Sequence, residues 1–144
     1  MKLFVDGLPK GQPRPKARAF KGHAQVYDPG SAYEWKVAVR EAVKGLPMLD
    51  GPLDVSLSFN MPRPKAHYRT GKFRGQVKDN APDWHTSKPD VDNLAKAVLD
   101  ACTGLLWEDD TQIARLMAAK IYSLNPGVAI EVVPVSPLIL EEFK

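Results

Sequence analysis

From Leu53 to Phe59 the chain reads Leu-Asp-Val-Ser-Leu-Ser-Phe, an unbroken alternation of apolar and polar residues. A period of two is the mark of a half-buried strand, because successive side chains leave a strand on opposite faces. A chain with such a segment must build a sheet and cover one face of it with something apolar. Two stretches of helical spacing offer that cover. Ser31 and Glu34 are placed as a capping box, and Trp35, Val39, Ala42, Val43 and Leu46 then recur along one face until Gly45 and Pro47 end the helix. A second helix is predicted from about Asp92 to Cys102, turning Leu94, Ala95, Val98, Leu99 and Cys102 inward.

The remaining elements are strands. Lys2 to Asp6 and Ile113 to Ser123 fit short strands, and Asn125-Pro126-Gly127 is a turn signal before an alternating stretch from Val128 to Val133. The last two strands are expected to pair as a hairpin. The order is then β-α-β-α-β-β, an α+β single domain over residues 1–144 with a mixed sheet and helices packed on it. Two proline-containing stretches, about 7–30 and 61–89, read as long loops. The tail, residues 134–144, reads either as a short helix packed on its own domain or as an arm for a partner subunit. At 144 residues with 44% apolar content, folding buries roughly 70% of the unfolded surface. No disulfide is needed, and the lone Cys102 reads as a small core residue. Met1-Lys2-Leu3-Phe4-Val5 is followed at once by Asp6 and Gly7, which does not fit a signal peptide. With no apolar run near the ~18 residues of a membrane span, a cytoplasmic location is expected.

The net charge of +3 is unevenly spread. One basic group holds Lys10, Arg14, Lys16, Arg18 and Lys21; another holds Arg63, Lys65, Arg69, Lys72, Arg74 and Lys78, with Lys88 just beyond. Acidic residues gather between Asp90 and Asp110. Basic loops on a mildly basic chain point to a polyanion such as nucleic acid.

Two acidic motifs carry the chemistry. In Lys88-Pro89-Asp90-Val91-Asp92-Asn93-Leu94 the proline favours an extended entry, and one aspartate suits the cap of the following helix. A cap does not explain both, since two carboxylates two residues apart repel. A hard cation between them would, and magnesium is commonly held by one or two carboxylates with water and substrate phosphate completing its shell. Glu108-Asp109-Asp110, just before a strand, is the second cluster. A phosphodiesterase needs carboxylates from separate elements to hold metal against the phosphate and to orient a water. Lys96 lies one helical turn beyond Asp92, and Asp100 one turn further; it serves either an exposed ion-pair ladder or the scissile phosphate.

The run from Lys88 to Ala101, followed by Leu106-Trp107-Glu108-Asp109-Asp110-Thr111-Gln112-Ile113, resembles the RusA-family resolvases. The shared pattern is a D-x-D-N opening a helix, a lysine one turn later, then W-x-D-D-x-Q before a hydrophobic residue. It covers Lys88 to about Lys120. The resemblance implies a homodimeric endonuclease that binds four-way DNA junctions and cuts them symmetrically with Mg2+, Mn2+ being a substitute. By motif match Asp90, Asp92 and Asp110 take the catalytic and metal positions, Lys96 the assisting position, and Asp109 that of an alternative ligand. The basic insertion from Arg63 to Lys78 departs from the most compact members. The chain is expected to be bacterial or phage-encoded.

Other chemistries do not fit. The Asp90 segment lacks the glycine and glutamate of a calcium-binding EF-hand loop, and His23, His67 and His85 have no zinc-ligand spacing and read as loop residues. Tyr68, Phe73 and Trp84 are candidates for stacking on unpaired bases, with core packing the other reading of Trp84. The rival functions are a non-catalytic DNA-binding module and a nuclease of the same type acting on forks or flaps.

Overall fold

The computed structural model describes residues 1–13, 16–27 and 32–144. The expected strands and helices are present in the expected order: β1 (Lys2–Asp6), α1 (Tyr33–Val43), β4 (Leu53–Met61), α2 (Val91–Cys102), β5 (Ile113–Tyr122) and β6 (Gly127–Pro134). Between β1 and α1 lies an unexpected pair, β2 (Lys16–Phe20) and β3 (His23–Tyr27), and α3 (Pro137–Glu141) closes the chain. The architecture is α+β, with a mixed four-stranded sheet ordered β1-β6-β4-β5.

The stretch expected as one loop over 7–30 thus contains an antiparallel hairpin. Its turn is Lys21-Gly22, with φ of 48° and 77°. Two successive positive φ angles give the tight reversal whose twist matches paired strands. Lys-Gly is a weaker signal for it than Asn-Gly, so the prolines around it dominated the reading. The Ser31 half of the capping box lies outside the described residues. Ala32 occupies the cap position without a side-chain bond, and α1 starts at Tyr33.

The second correction is topological. β5 and β6 do not form a hairpin, because β4 lies between them, parallel to β5 and antiparallel to β6. The turn before Gly127 reverses the chain but carries it past one strand. It is seated on the end of β4, where Ser123 N–H donates to the Met61 carbonyl at 2.9 Å and Asn60 Nδ2 donates to the Asn125 carbonyl at 3.2 Å. Gly127 has φ +157°, and a Cβ there would collide with the Val5 carbonyl and the Phe4 ring. A side chain would push β1 off β6.

One face of the sheet is covered. Val55, Leu57, Phe59 and Met61 of β4 and Val128, Ile130 and Val132 of β6 are buried against Trp35, Val39 and Val43 of α1. On α2, Leu94, Ala95, Ala97, Val98, Ala101 and Cys102 are buried, a wider stripe than expected, because α2 touches both α1 and β5. Ala42 and Leu46 are exposed rather than inward, since α1 ends at Val43. Cys102 is a core residue, and burial pushes its thiol up to about 12, which leaves it protonated and unreactive. The tail does form a short helix, but Leu138 and Phe143 remain 80% and 78% exposed, so these side chains do not pack on their own domain.

Candidate active site

The first acidic motif is fixed by a lysine that the sequence reading passed over. Lys120, on the helix-facing side of β5, donates from Nζ to the Ser87 carbonyl at 2.6 Å and the Pro89 carbonyl at 2.7 Å. This holds the chain on both sides of the cis Lys88–Pro89 peptide as it enters α2. A charge at an inward position, in the series Leu116, Ala118, Lys120, Tyr122, was the available signal that something there needed a donor. Asp90 takes the cap position of α2, yet its carboxylate makes no capping bond. Its backbone carbonyl accepts from Leu94 N–H, while Asp92 Oδ1 accepts from the adjacent Asn93 N–H at 2.9 Å. The capping role weighed for these aspartates is therefore not taken by Asp90, whose oxygens stay available.

The second motif hangs from the core. Leu106 and Trp107 are fully buried, with Trp107 Nε1 donating to Thr103 Oγ1 at 3.2 Å, and the next residues turn outward through Glu108 and Asp109 into a short helical turn, Asp110–Gln112. Gln112 bolts that turn down. Its Oε1 accepts from Glu108 and Asp109 N–H at 2.9 and 3.3 Å, and its Nε2 donates to the Leu49 and Gly51 carbonyls, both at 3.1 Å. Gln112→Ala removes all four bonds. At roughly 0.5–1.5 kcal/mol net each, discounted for partial exposure, the expected loss is about 2 kcal/mol. That corresponds to a thermal midpoint lower by about 6 °C. An unchanged midpoint in a circular-dichroism melt would show that the turn is held some other way.

Electrostatics separates the aspartates. Asp110 is pushed above the usual carboxylate range by the hydrogen bond it shares with Asp109, then by slight burial and by the charges of Asp109 and Asp100, with Lys96 opposing. Asp109 is pulled down, first by the Thr111 backbone N–H and then by the bond to Asp110. Asp110 therefore lies within reach of Asp100 and Lys96 on α2. Lys96 pairs with Asp100 at 3.6 Å, the ion-pair reading of its spacing, and Lys36 of α1 approaches the same carboxylate at 4.0 Å. Asp92 precedes Asp100 by eight residues, about 12 Å along a helix. Among the described residues, no three acidic, histidine or cysteine groups stand close enough to hold one ion. Asp110 is thus associated with the Lys96–Asp100 stretch of α2, while Asp90 and Asp92 are at the start of that helix. The donor set nevertheless fits a hard divalent cation: exposed carboxylates from two elements, one unbonded and one repelled by its neighbours. Such an ion takes only one or two protein oxygens and keeps water for the rest.

The basic groups are placed unevenly. Lys16 and Arg18 fall on β2 and Lys21 on its turn, while Arg14 lies outside the described residues. Lys65, Lys72, Arg74 and Lys88 are exposed. Arg63 is not: it donates to the Pro82 carbonyl at 2.7 Å, reaches Asp83 at 3.5 Å and lies over the Tyr122 ring, clasping its own loop. Arg69 pairs with Asp79 at 3.0 Å. Of the two readings of Trp84 the structure leaves the exposed one, and His85, in a loop as expected, is unexpectedly buried. Trp84 is 64% exposed, which excludes core packing, while His85 is only 7% exposed and packs beside Tyr122. The extended backbone bridging to Ile121 sends the two side chains to opposite sides.

With this geometry in view, comparison with known proteins is direct. The family profile described as "Endodeoxyribonuclease RusA" matches residues 6–133. A Bacillus subtilis (strain 168) protein, "Uncharacterized protein YqaN", is 30% identical over 139 residues, covering 94% of this chain and 97% of the relative. "Crossover junction endodeoxyribonuclease rusA" of Lactococcus phage r1t is 27% identical over 136 residues, covering 91% and 94%.

Proposed function

The chain belongs to the RusA endodeoxyribonuclease family, hydrolases of DNA phosphodiester bonds, and from that premise we propose that it resolves four-way DNA junctions by paired, symmetric hydrolysis with Mg2+ in recombination and repair. The observation that carries this reading is the placement of carboxylates from two elements around one exposed lysine. Asp90 and Asp92 come from the start of α2, Asp110 from the turn before β5, and Lys96, one helical turn beyond Asp92, is the cation whose charge Asp110 feels. Asp90, Asp92 and Asp110, with Asp109 as an alternative, are the candidate ligands, of which one or two at a time would hold the ion with water completing its shell; when bound it supplies Lewis-acid stabilisation and a more acidic water. Mn2+ substitutes for it. Lys96 offers its ammonium to the extra negative charge that builds on the phosphate. Lys120 and Gln112 keep the two acidic segments in place. Exposed Lys65, Lys72, Arg74 and Lys88, with Arg14, Lys16, Arg18 and Lys21 of the first basic stretch, neutralise backbone phosphates and orient the arms.

A homodimer suits a junction of near two-fold symmetry, since two identical sites then meet two equivalent strands. Exposed apolar side chains on α3, and Phe4 and Met117 on the sheet face turned away from α1 and α2, support a second copy as partner. No helix is long and apolar enough to cross a membrane among the described residues. Residence in a bacterial cytoplasm fits the bacterial and phage relatives.

A synthetic four-way junction tests the reading. With magnesium, paired nicks at symmetric positions are expected, at least tenfold faster than any cut in a fork, flap or linear duplex, and none in EDTA. Binding without cutting in either magnesium or manganese would favour a non-catalytic DNA-binding module. Faster cutting of forks or flaps would change the substrate.

A further inference from the structure

Beside Asp90 a cleft of about 910 Å3 opens between the segment after β1, the end of β4 and the foot of α2. We propose that this cleft receives one unstacked nucleobase of the bound DNA, next to the cleaved phosphate, with His85 reading its edge. The inference rests on the nuclease reading and adds to it a means of choosing where the cut falls.

The walls suit a flat, apolar ring. Leu8 and Pro13 come from one side, Met61 and Pro62 from another, and Pro89 and the Tyr122 ring complete the lining. Proline walls hold their shape without an induced fit, since their φ angles are locked. The near wall is also tied to the candidate site: Gln12 N–H donates to the Asn93 carbonyl at 2.8 Å, one residue after Asp92. A base stacked on such surfaces gains contact whatever its identity, and a cleft of this size is in the range that small ligands occupy.

One polar group in the wall lacks a partner. His85 lines the cleft, is hidden from solvent except for 7% of its surface, and its Nδ1 has no hydrogen bond. Its backbone N–H is bonded to the Lys120 carbonyl at 3.1 Å, so the residue is anchored while its ring is incompletely satisfied. Buried polar atoms without partners are rare in native structures and mark places where a missing group completes the bonding. Nδ1 is shielded from water, so the proposed contact with a base requires the ring to turn about its side-chain bonds on binding. Burial and the Lys120 charge hold His85 below the usual imidazole range. The ring is then neutral, one donor and one acceptor, which matches the mixed edge of a base rather than a phosphate. Lys10 and Lys88, with Asp90 beside them, stand at the exposed rim, while the guanidinium of Arg63, also in the lining, is engaged by the Pro82 carbonyl and Asp83. Backbone phosphates are thereby favoured outside and the neutral base inside.

The test uses junctions carrying 2-aminopurine, one position at a time, around the cut. Titrated with the full chain in EDTA, where nothing is cut, fluorescence should rise at least threefold at one nucleotide flanking the cut and nowhere else. His85→Ala should lose more than half of that rise. Ser87→Trp, which adds bulk to the cleft lining from an exposed position and leaves the His85 side chain unchanged, should lose it too, so misfolding of the histidine variant would not decide the matter. In magnesium, the ratio of cutting at the best site to the next best should fall about tenfold in either variant. If wild type binds and cuts but no position brightens, or if both variants keep the full rise and ratio, the base pocket is wrong and the nuclease reading stands. If wild type neither binds nor cuts the junction, both fall together.

Discussion

Asp92→Asn is expected to abolish junction cleavage, lowering the rate by about three orders of magnitude or more, while the protein folds and binds junctions as before. Loss of a charged ligand that acts on the transition state removes several kcal/mol, and each 1.36 kcal/mol is a factor of ten. The structure explains why folding should survive. The side chain is exposed at the first turn of α2 and its one bond accepts from Asn93 N–H, which an asparagine oxygen also accepts. Only the favourable charge at the helix start is lost, roughly 0.3–1 kcal/mol. Asp110→Asn should match it in rate and lose no stability, because it relieves the repulsion from Asp109 and Asp100. Single-turnover cleavage beside a gel-shift titration reads both quantities. Activity above a tenth of wild type in Asp92→Asn would remove that residue from the chemistry.

The largest effect on stability is expected at Trp107. It is fully buried at the junction between α2 and the acidic turn, and its indole N–H is bonded to Thr103. Trp107→Ala leaves a large cavity and should cost about 3–5 kcal/mol, a substantial share of the 5–15 typical for a domain. A midpoint lower by about 10–15 °C follows. Trp84→Ala is the control: exposed and outside the core, it should stay within about 0.5 kcal/mol of wild type. Equal melting temperatures for the two variants would mean that the core does not depend on Trp107.

These two tryptophans also show what a sequence discloses. Periodicity located both long helices, β4 and β6 within a few residues, because each buries one regular face; β1 and β5 were placed too, but β5 is ambiguous by periodicity, its first half being mostly exposed. It did not tell Trp84 from a core residue, since an extended loop segment has no pattern long enough to set its phase. His85, next to it, was read as a loop residue for the same reason. The position of β4 between β5 and β6 was also hidden. Asn125-Pro126-Gly127 announces a reversal, but which strand becomes the neighbour is decided by distant pairing, and the polar outer residues Asp54, Ser56, Ser58 and Asn60 make a central strand look peripheral. At the candidate site the motifs named the acidic residues, and their order suggested one pocket. The distances depend on the Lys120 and Gln112 bonds, and neither residue belongs to an acidic cluster.

The parallel pairing of β4 with β5 has a bearing on how this protein is made. Leu53 meets Ile113 across the sheet, so everything between them, both acidic motifs included, is a single excursion that closes only when β5 docks. A ribosome releases α2 well before the strand that anchors it, and β6 must follow to flank β4 from the other side. A half-emerged chain therefore exposes the aspartates of both motifs before β5 and β6 complete the sheet behind them.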